Sequence, residues 1–353
     1  TAVAKKICHI PKVLYYWRSH PGSVASDISA KPYAVSAGKR VVKDFLASNG
    51  IDAEVESTKV FPAIYKINYK IQNNPKVSII IPNKDHIKDL TKCIDSIREQ
   101  STYNNYEIIV IENNSTSEMI FKYYEYLESL NNVKVIRYTD CFNYAAINNF
   151  GVKYATGEYL LLLNNDTEVI TDNWIEEMLT YAQRKDVGAV GAKLYYADDT
   201  VQHAGIVVGL GAHRAAGHIH YGVPKESKGY MGKLHYVQDV SAVTGACLMV
   251  KKALYDEVGG LDEKFTVAFN DVDFCLRLRE KGYLNIFTPD AELYHYESKS
   301  RGFENTTEKQ TRFLGEVELF KERWAGLIKK GDPYYNINFS LDYADYAIRS
   351  RDE

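Results

Sequence analysis

The chain is poor in several features that would place it quickly. Only five of its 353 residues are cysteine (Cys8, Cys93, Cys141, Cys247, Cys275). That number is odd and no two form C-x-x-C, so neither a disulfide framework nor a zinc cage is expected. A reducing compartment such as the cytoplasm is favoured. No apolar run approaches the ~20 residues of a membrane span. No signal peptide is visible, and the chain opens at Thr1 without methionine, the pattern of a segment of something longer. No G-x-G-x-x-G follows the first strong strand, and "GLGAHR" at Gly209–Arg214 lacks both the third glycine and a following helix. The P-loop pattern and G-x-S-x-G are missing too, so dinucleotide oxidoreduction, P-loop chemistry and serine hydrolysis all lose support. A net charge of −3 leaves no basic footprint for nucleic acid.

What is present is a core. Hydrophobic residues make up 45% of the chain, enough for one large domain or a domain with an appendage. Tyrosine is abundant, at 28 residues. Its flat apolar face and hydroxyl suit polar ring-shaped ligands, although plain core and surface use accounts for most of them. From Lys76 the chain alternates. "KVSIIIP" (Lys76–Pro82), "YEIIVIENN" (Tyr106–Asn114), "VKVIRY" (Val133–Tyr138) and "EYLLLLNND" (Glu158–Asp166) predict four strands. Helical stretches lie between them, as in Ile87, Leu90, Ile94 and Ile97. Nearly all-apolar strands separated by helices predict an α/β fold, with a mostly parallel sheet covered on both faces. Ligands bind such sheets beyond the carboxyl ends of the strands. Polar residues collect there: Asn83 and Asp85, Glu112 to Ser115, and Asn164 to Asp166.

The flanks read differently. "KVLYYW" (Lys12–Trp17) predicts a short strand. Lys31–Ile51 predicts a helix with Val41, Val42, Phe45 and Leu46 on one side, and Gln72–Pro75 is a linker. Residues 198–240 read as long loops with short strands. Asn270–Gly282 predicts a helix opened by acids, Leu284–Gly302 two short strands, and Glu308–Ile328 a C-terminal helix.

Each candidate cluster carries two readings. Asn164-Asn165-Asp166 is a seat for a hard divalent ion, or a turn and cap built from the usual residues. Asp271 and Asp273 are partners of a helix dipole, or place one carboxylate in a cleft as a general base. His295 is a satisfied core histidine, or opens a site whose Ser298, Lys299, Ser300 and Arg301 meet a diphosphate. His203, His213, His218, His220 and His235 match no standard zinc spacing and read as a polar loop.

Taken in order, five stretches resemble glycosyltransferase family 2, of the GT-A fold, over about Val77 to Arg301. "VSIIIPNKD" is similar to the family's first strand and nucleotide loop, and "IIVIENNSTSE" to its second acidic element. "NYAAINNFGVKYATGEYLLLLNND" resembles the helix and strand that end in a D-x-D metal motif. "VTGACLMVKKALYDEVGGLDEKF" and "FNDVDFCLRLREKG" resemble the acceptor segment and the helix of the catalytic base. "HYESKSRG" and "DPYYN" look like modules of large bacterial enzymes that build surface polysaccharides, including rhamnose-rich ones.

The resemblance implies a Rossmann-like mixed architecture and an inverting, metal-dependent transfer from a UDP-, dTDP- or GDP-linked sugar to a glycan or lipid-linked glycan. Pro82, Asn83, Asp85, Glu112, Asn114 and Asn149 would line the nucleotide pocket, with Asn164 and Asn165 on the donor side. Asp166 and His295 would hold Mn²⁺ or Mg²⁺. Asp271 would be the base, and Thr244, Gly245, Ala246 and Asn270 would shape the acceptor pocket. Three positions depart from the family: Asn164, Asn113 and Asn270 stand where acids are usual. The implied organisation is a GT-A domain over 76–302, a C-terminal helix and tail over 303–353, and an appendage over 1–75. "HIPKVLYYWRSHPGS" (His9–Ser23) resembles Phe287–Gly302, so the appendage reads as the trailing end of a preceding transferase module. The implied location is cytoplasmic, with the inner face of the plasma membrane open as a peripheral site. A non-catalytic sugar-binding or scaffold module is the competing reading, favoured by Asn164 and Asn270. A sugar-phosphate nucleotidyltransferase is disfavoured, because "PNKDH" is not a glycine-rich, lysine-bearing loop.

Overall fold

The computed structural model describes residues 7–16, 18, 32–297 and 306–350. Helix α1 (Pro32–Ser48) precedes a hairpin of β1 (Ala53–Ser57) and β2 (Tyr65–Tyr69). The alternation follows as β3 (Val77–Asn83), α2 (Ile87–Gln100), β4 (Tyr106–Glu112), α3 (Glu118–Glu128), β5 (Val133–Arg137), α4 (Tyr144–Val152) and β6 (Tyr159–Leu163). Next come β7 (Thr167–Val169), α5 (Trp174–Ala182), β8 (Val187–Tyr195), β9 (Val201–His203), β10 (Ile206–Val208) and β11 (Ala216–His218). A 3₁₀ segment at Tyr230–His235 leads to β12 (Gln238–Val240), β13 (Cys247–Lys251), α6 (Lys252–Glu257), α7 (Asn270–Glu280) and β14 (Leu284–His295), and the chain closes with α8 (Thr307–Arg323) and α9 (Ala325–Lys330).

One sheet dominates, in the order β12-β14-β8-β13-β6-β3-β4-β5, with β7 on β14 and β9 on β8. Strands β6, β3, β4 and β5 pair in parallel. β13 enters antiparallel between β6 and β8, and β14 runs parallel to β8. The sheet is therefore mixed and mostly parallel, as the apolar strands predicted.

Strand alternation divides the core in two. Ile79, Ile81, Ile108, Val110, Leu161 and Leu163 face α2, α3 and α5. Ile80, Ile109, Ile111, Leu160 and Leu162 face α4, α7 and α8. Gly151 lets α4 sit close to the sheet, since a Cβ there would fall 2.3 Å from Ile111 Cδ1. The central strands are thus covered on both faces, and polar residues gather at their ends.

Three expectations need correction. Lys12–Tyr16 form no strand; Val13, Leu14, Tyr15 and Tyr16 are exposed and pair with no strand among the described residues. In α1, Leu46 is buried but Val41 and Phe45 face solvent, so the expected apolar side is only partly covered. Leu284–His295 is one strand with an irregularity between Phe287 and Glu292, because both halves pair with the long β8. Ser298, Lys299, Ser300 and Arg301 lie outside the described residues, as does most of His9–Ser23.

Candidate active site

At the carboxyl ends of β3 and β6 the chain encloses a cavity of about 550 Å³. Pro82, Asn83 and Asp85 line it from the end of β3, and Asn164, Asn165 and Asp166 from the end of β6. Thr244, Gly245 and Ala246 come from the loop before β13, Asn270 and Asp271 from the start of α7, and His295 from the end of β14. Residues up to 215 positions apart in sequence, Pro82 to Glu297, thus share one wall.

Each group is held by its own contacts. Asn165 Nδ2 donates to Asn83 Oδ1 at 2.6 Å, and Asn83 Nδ2 donates to Tyr124 Oη at 2.7 Å, a buried base beneath the cavity. Asp85 Oδ1 accepts from the N–H groups of Thr116 and Ser117 at 2.8 and 2.9 Å, at the N-terminus of α3. Burial pushes the Asp85 carboxyl up, but these donors outweigh it and hold it below the ordinary carboxylate range. Asp271 Oδ2 accepts from Gly245 N–H at 2.7 Å, and its Oδ1 from Val272 N–H at 2.8 Å, so two backbone donors fix its direction. Asn270 Nδ2 donates to Val267 O at 2.7 Å. Asp273, by contrast, is fully buried against Arg277, Arg323 and Trp324 and takes no part in the cavity. Of the two acids that open α7, only Asp271 faces the site.

The opposite corner joins β6 to β14. His295 Nε2 lies 3.2 Å from Asp166 Oδ1 and 3.0 Å from Asn164 Nδ2. Asp166 Oδ1 is buried without a hydrogen-bond partner. Such an oxygen is costly to leave unpaired, and one beside a histidine suits a divalent cation. Among the described residues no three His, Cys, Asp or Glu side chains converge to hold a metal. Asp166 and His295 therefore fit part of a metal seat, of the kind that a substrate diphosphate and water complete.

Three expected residues stand elsewhere. Asn149 does not line the cavity; its amide clamps the loop beyond α6, accepting from Tyr255 Oη and Leu261 N–H and donating to Leu261 O. The helix explains this, because Tyr144 and Ile147 share the cavity face of α4 and Asn149 points away. Glu112 turns back to accept from Ser115 N–H at 2.5 Å, and Asn114 donates to Thr139 O and Asp140 O. Both brace the loop after β4 instead of lining the cavity. The structure adds Lys84, His86, Asn113, Phe142, Tyr144, Ile147, Val267 and Glu297 to the wall. Tyr144 donates to Gly245 O at 2.8 Å, and burial, then the nearby Asp271 charge, raises its phenol well above the ordinary value. Asp85 and His86, which line the cavity, and Phe269, next to Asn270, have positive φ (57°, 27° and 63°), a backbone conformation that costs energy for non-glycine residues.

Comparison with known proteins places the chain in a family. Residues 78–259 match the family described as glycosyl transferase family 2. The chain is 44% identical to an uncharacterized protein, y4gI, of Sinorhizobium fredii, over 98% of this chain and 38% of the relative. It is 36% identical to the O-antigen biosynthesis protein RfbC of Myxococcus xanthus, over 98% of this chain and 26% of the relative. The chain thus spans well under half the length of these two curated relatives. Among solved structures it resembles a mannosyltransferase of Pyrobaculum calidifontis in complex with GDP-Man and Mn²⁺. That likeness has a TM-score of 0.52 at 15% identity and covers 85% of this chain and 74% of the other. The chain belongs to glycosyltransferase family 2 and has the GT-A fold.

Proposed function

We propose that this chain moves a sugar from a nucleotide-sugar donor to a glycan or lipid-linked glycan acceptor, with inversion and with Mn²⁺ or Mg²⁺, in bacterial surface polysaccharide synthesis. One observation carries the reading: the Asp271 carboxylate and the Asp166–His295 pair line the same cavity at the carboxyl end of the sheet. Pro82, Asn83 and Asp85 would hold the nucleotide, with Asn164 and Asn165 on the donor side. Thr244, Gly245, Ala246 and Asn270 would seat the acceptor. The acceptor hydroxyl oxygen bonds to the anomeric carbon, the bond from that carbon to the diphosphate oxygen breaks, and the hydroxyl proton passes to Asp271. A bound divalent ion supplies charge compensation for the leaving diphosphate. Asp166 and His295 would hold it.

The relative named for O-antigen biosynthesis and the fold neighbour bound to GDP-Man and Mn²⁺ support this reading. The proposal includes the division into an appendage over 1–75, a transfer domain over 76–302 and a tail over 303–353. It also includes an upstream module in the natural protein and a cytoplasmic site of action, at or near the membrane's inner face. No helix among the described residues is long and apolar enough to cross a membrane. The scaffold reading draws on Asn164, which turns an amide N–H toward His295 where a carboxylate is usual in the family. A donor screen with Mn²⁺ separates the two: transfer predicts nucleoside diphosphate release with some donor, and a scaffold predicts sugar binding with none.

A further inference from the structure

We propose that Gln202 is a positioning residue for the Asp166–His295 corner. It fixes the His295 tautomer that turns a bare Nε2 toward Asp166, and so prepares a two-ligand seat for a divalent cation. This rests on the metal-assisted reading above.

Gln202 sits at the middle of β9 and is 4% exposed. Its partners tell the two ends of its amide apart. Nε2 donates to Glu297 Oε2 at 3.1 Å, and an ionised carboxylate only accepts. Oε1 is therefore the atom 2.6 Å from His295 Nδ1, and that nitrogen must carry the hydrogen. Glu297 is held in turn by Tyr196 Oη, which donates to it at 2.9 Å. A neutral imidazole with hydrogen on Nδ1 has a lone pair on Nε2. That lone pair accepts from Asn164 Nδ2 and lies 3.2 Å from the unpartnered Asp166 Oδ1.

Two acceptors facing each other repel unless a proton or a metal cation lies between them. Neighbouring ligands of an octahedral ion with bonds of about 2.1 Å stand roughly 3 Å apart, close to the separation found here. Histidine ligands are commonly oriented by a hydrogen bond from the other ring nitrogen, and losing that bond typically costs roughly 10–100-fold in metal affinity. Gln202 supplies that bond from a residue 93 positions away in sequence.

The test is Mn²⁺ binding by electron paramagnetic resonance, on the full chain, with UDP, dTDP and GDP each present in turn. Wild type should bind Mn²⁺ with at least one of them. Gln202→Leu should weaken that binding about 10–100-fold, while nucleotide affinity without metal stays unchanged. Gln202→Glu restores an acceptor and should recover part of the loss. Equal Mn²⁺ affinity in wild type and Gln202→Leu overturns the inference and leaves the metal reading standing. No Mn²⁺ binding by wild type with any diphosphate overturns the metal reading, and this inference with it. If Gln202→Leu does not fold, ¹⁵N NMR of the wild-type histidines decides. Hydrogen on His295 Nδ1 supports the inference, and hydrogen on Nε2 overturns it.

Discussion

Glu107 offers a test of the fold that leaves the chemistry untouched. It lies near the start of β4, at the end of the sheet opposite the cavity, and is buried. Its Oε1 accepts from Ser78 Oγ, Thr156 N–H and Thr156 Oγ1, each at 2.7 Å. Its Oε2 meets Lys134 and Lys76 Nζ at 3.0 and 3.3 Å. One carboxylate thus ties β3, β5 and the turn before β6 to β4. Burial alone pushes the Glu107 carboxyl up, but its donors bring it from the ordinary 4.5 down to about 2. At about 1.4 kcal/mol per tenfold change in proton affinity, that drop corresponds to about 3 kcal/mol. Screening of the two half-exposed lysines reduces it to about 2 kcal/mol.

The sign follows from the folded value lying below the unfolded one. The stabilisation is complete above pH 4.5 and is lost as pH falls toward 2. Glu107→Gln should therefore lower unfolding stability by about 2 kcal/mol at pH 7, and by less than half of that near pH 3, measured by urea denaturation. Donor and metal binding should not change. A stability difference that stays constant across that pH range, or grows toward acid, would mean that the Glu107 charge does not hold these strands together.

Two further perturbations separate site from scaffold. Asn164→Asp restores the family's acid beside His295 and adds an anionic ligand. It should tighten Mn²⁺ binding in the presence of nucleoside diphosphate by about tenfold, read by metal titration; unchanged affinity would remove Asn164 from the seat. Asp273→Asn breaks a fully buried carboxylate's links to Arg277 and Arg323. It should cost about 3–5 kcal/mol in chemical denaturation, and a loss below 1 kcal/mol would show the network to be dispensable.

The sheet was legible because β3 to β6 are nearly uninterrupted apolar runs, and only a strand covered on both faces needs that pattern. Asp166 and Asp271 could be singled out because each comes soon after an apolar stretch, Leu160–Leu163 and Phe265–Phe269, and the family resemblance suggested roles for them. Asp273 shows the limit of spacing. Two residues along α7 from Asp271, it turns into the core, where Arg277 and Arg323 await it. Asn149 fails the same way on α4, where helical rotation, not proximity in sequence, decides which side chain meets the cavity. Gln202, Tyr144 and Glu297 carried no sequence signal. Their importance arises only from contacts across 93, 101 and 95 positions. The loops that supply Lys84, His86 and Phe142 have no periodicity to read.

In the proposed reaction Asp271 takes the acceptor's proton in a cavity shared with the donor. The most direct measurement is nucleoside diphosphate release by wild type and Asp271→Asn, with Mn²⁺, the donor identified by screening and its acceptor. An asparagine oxygen keeps one of the two backbone donors to this side chain, so the fold and donor affinity should persist. Release should fall by at least about 100-fold. Turnover in Asp271→Asn equal to wild type would mean that Asp271 is not the base.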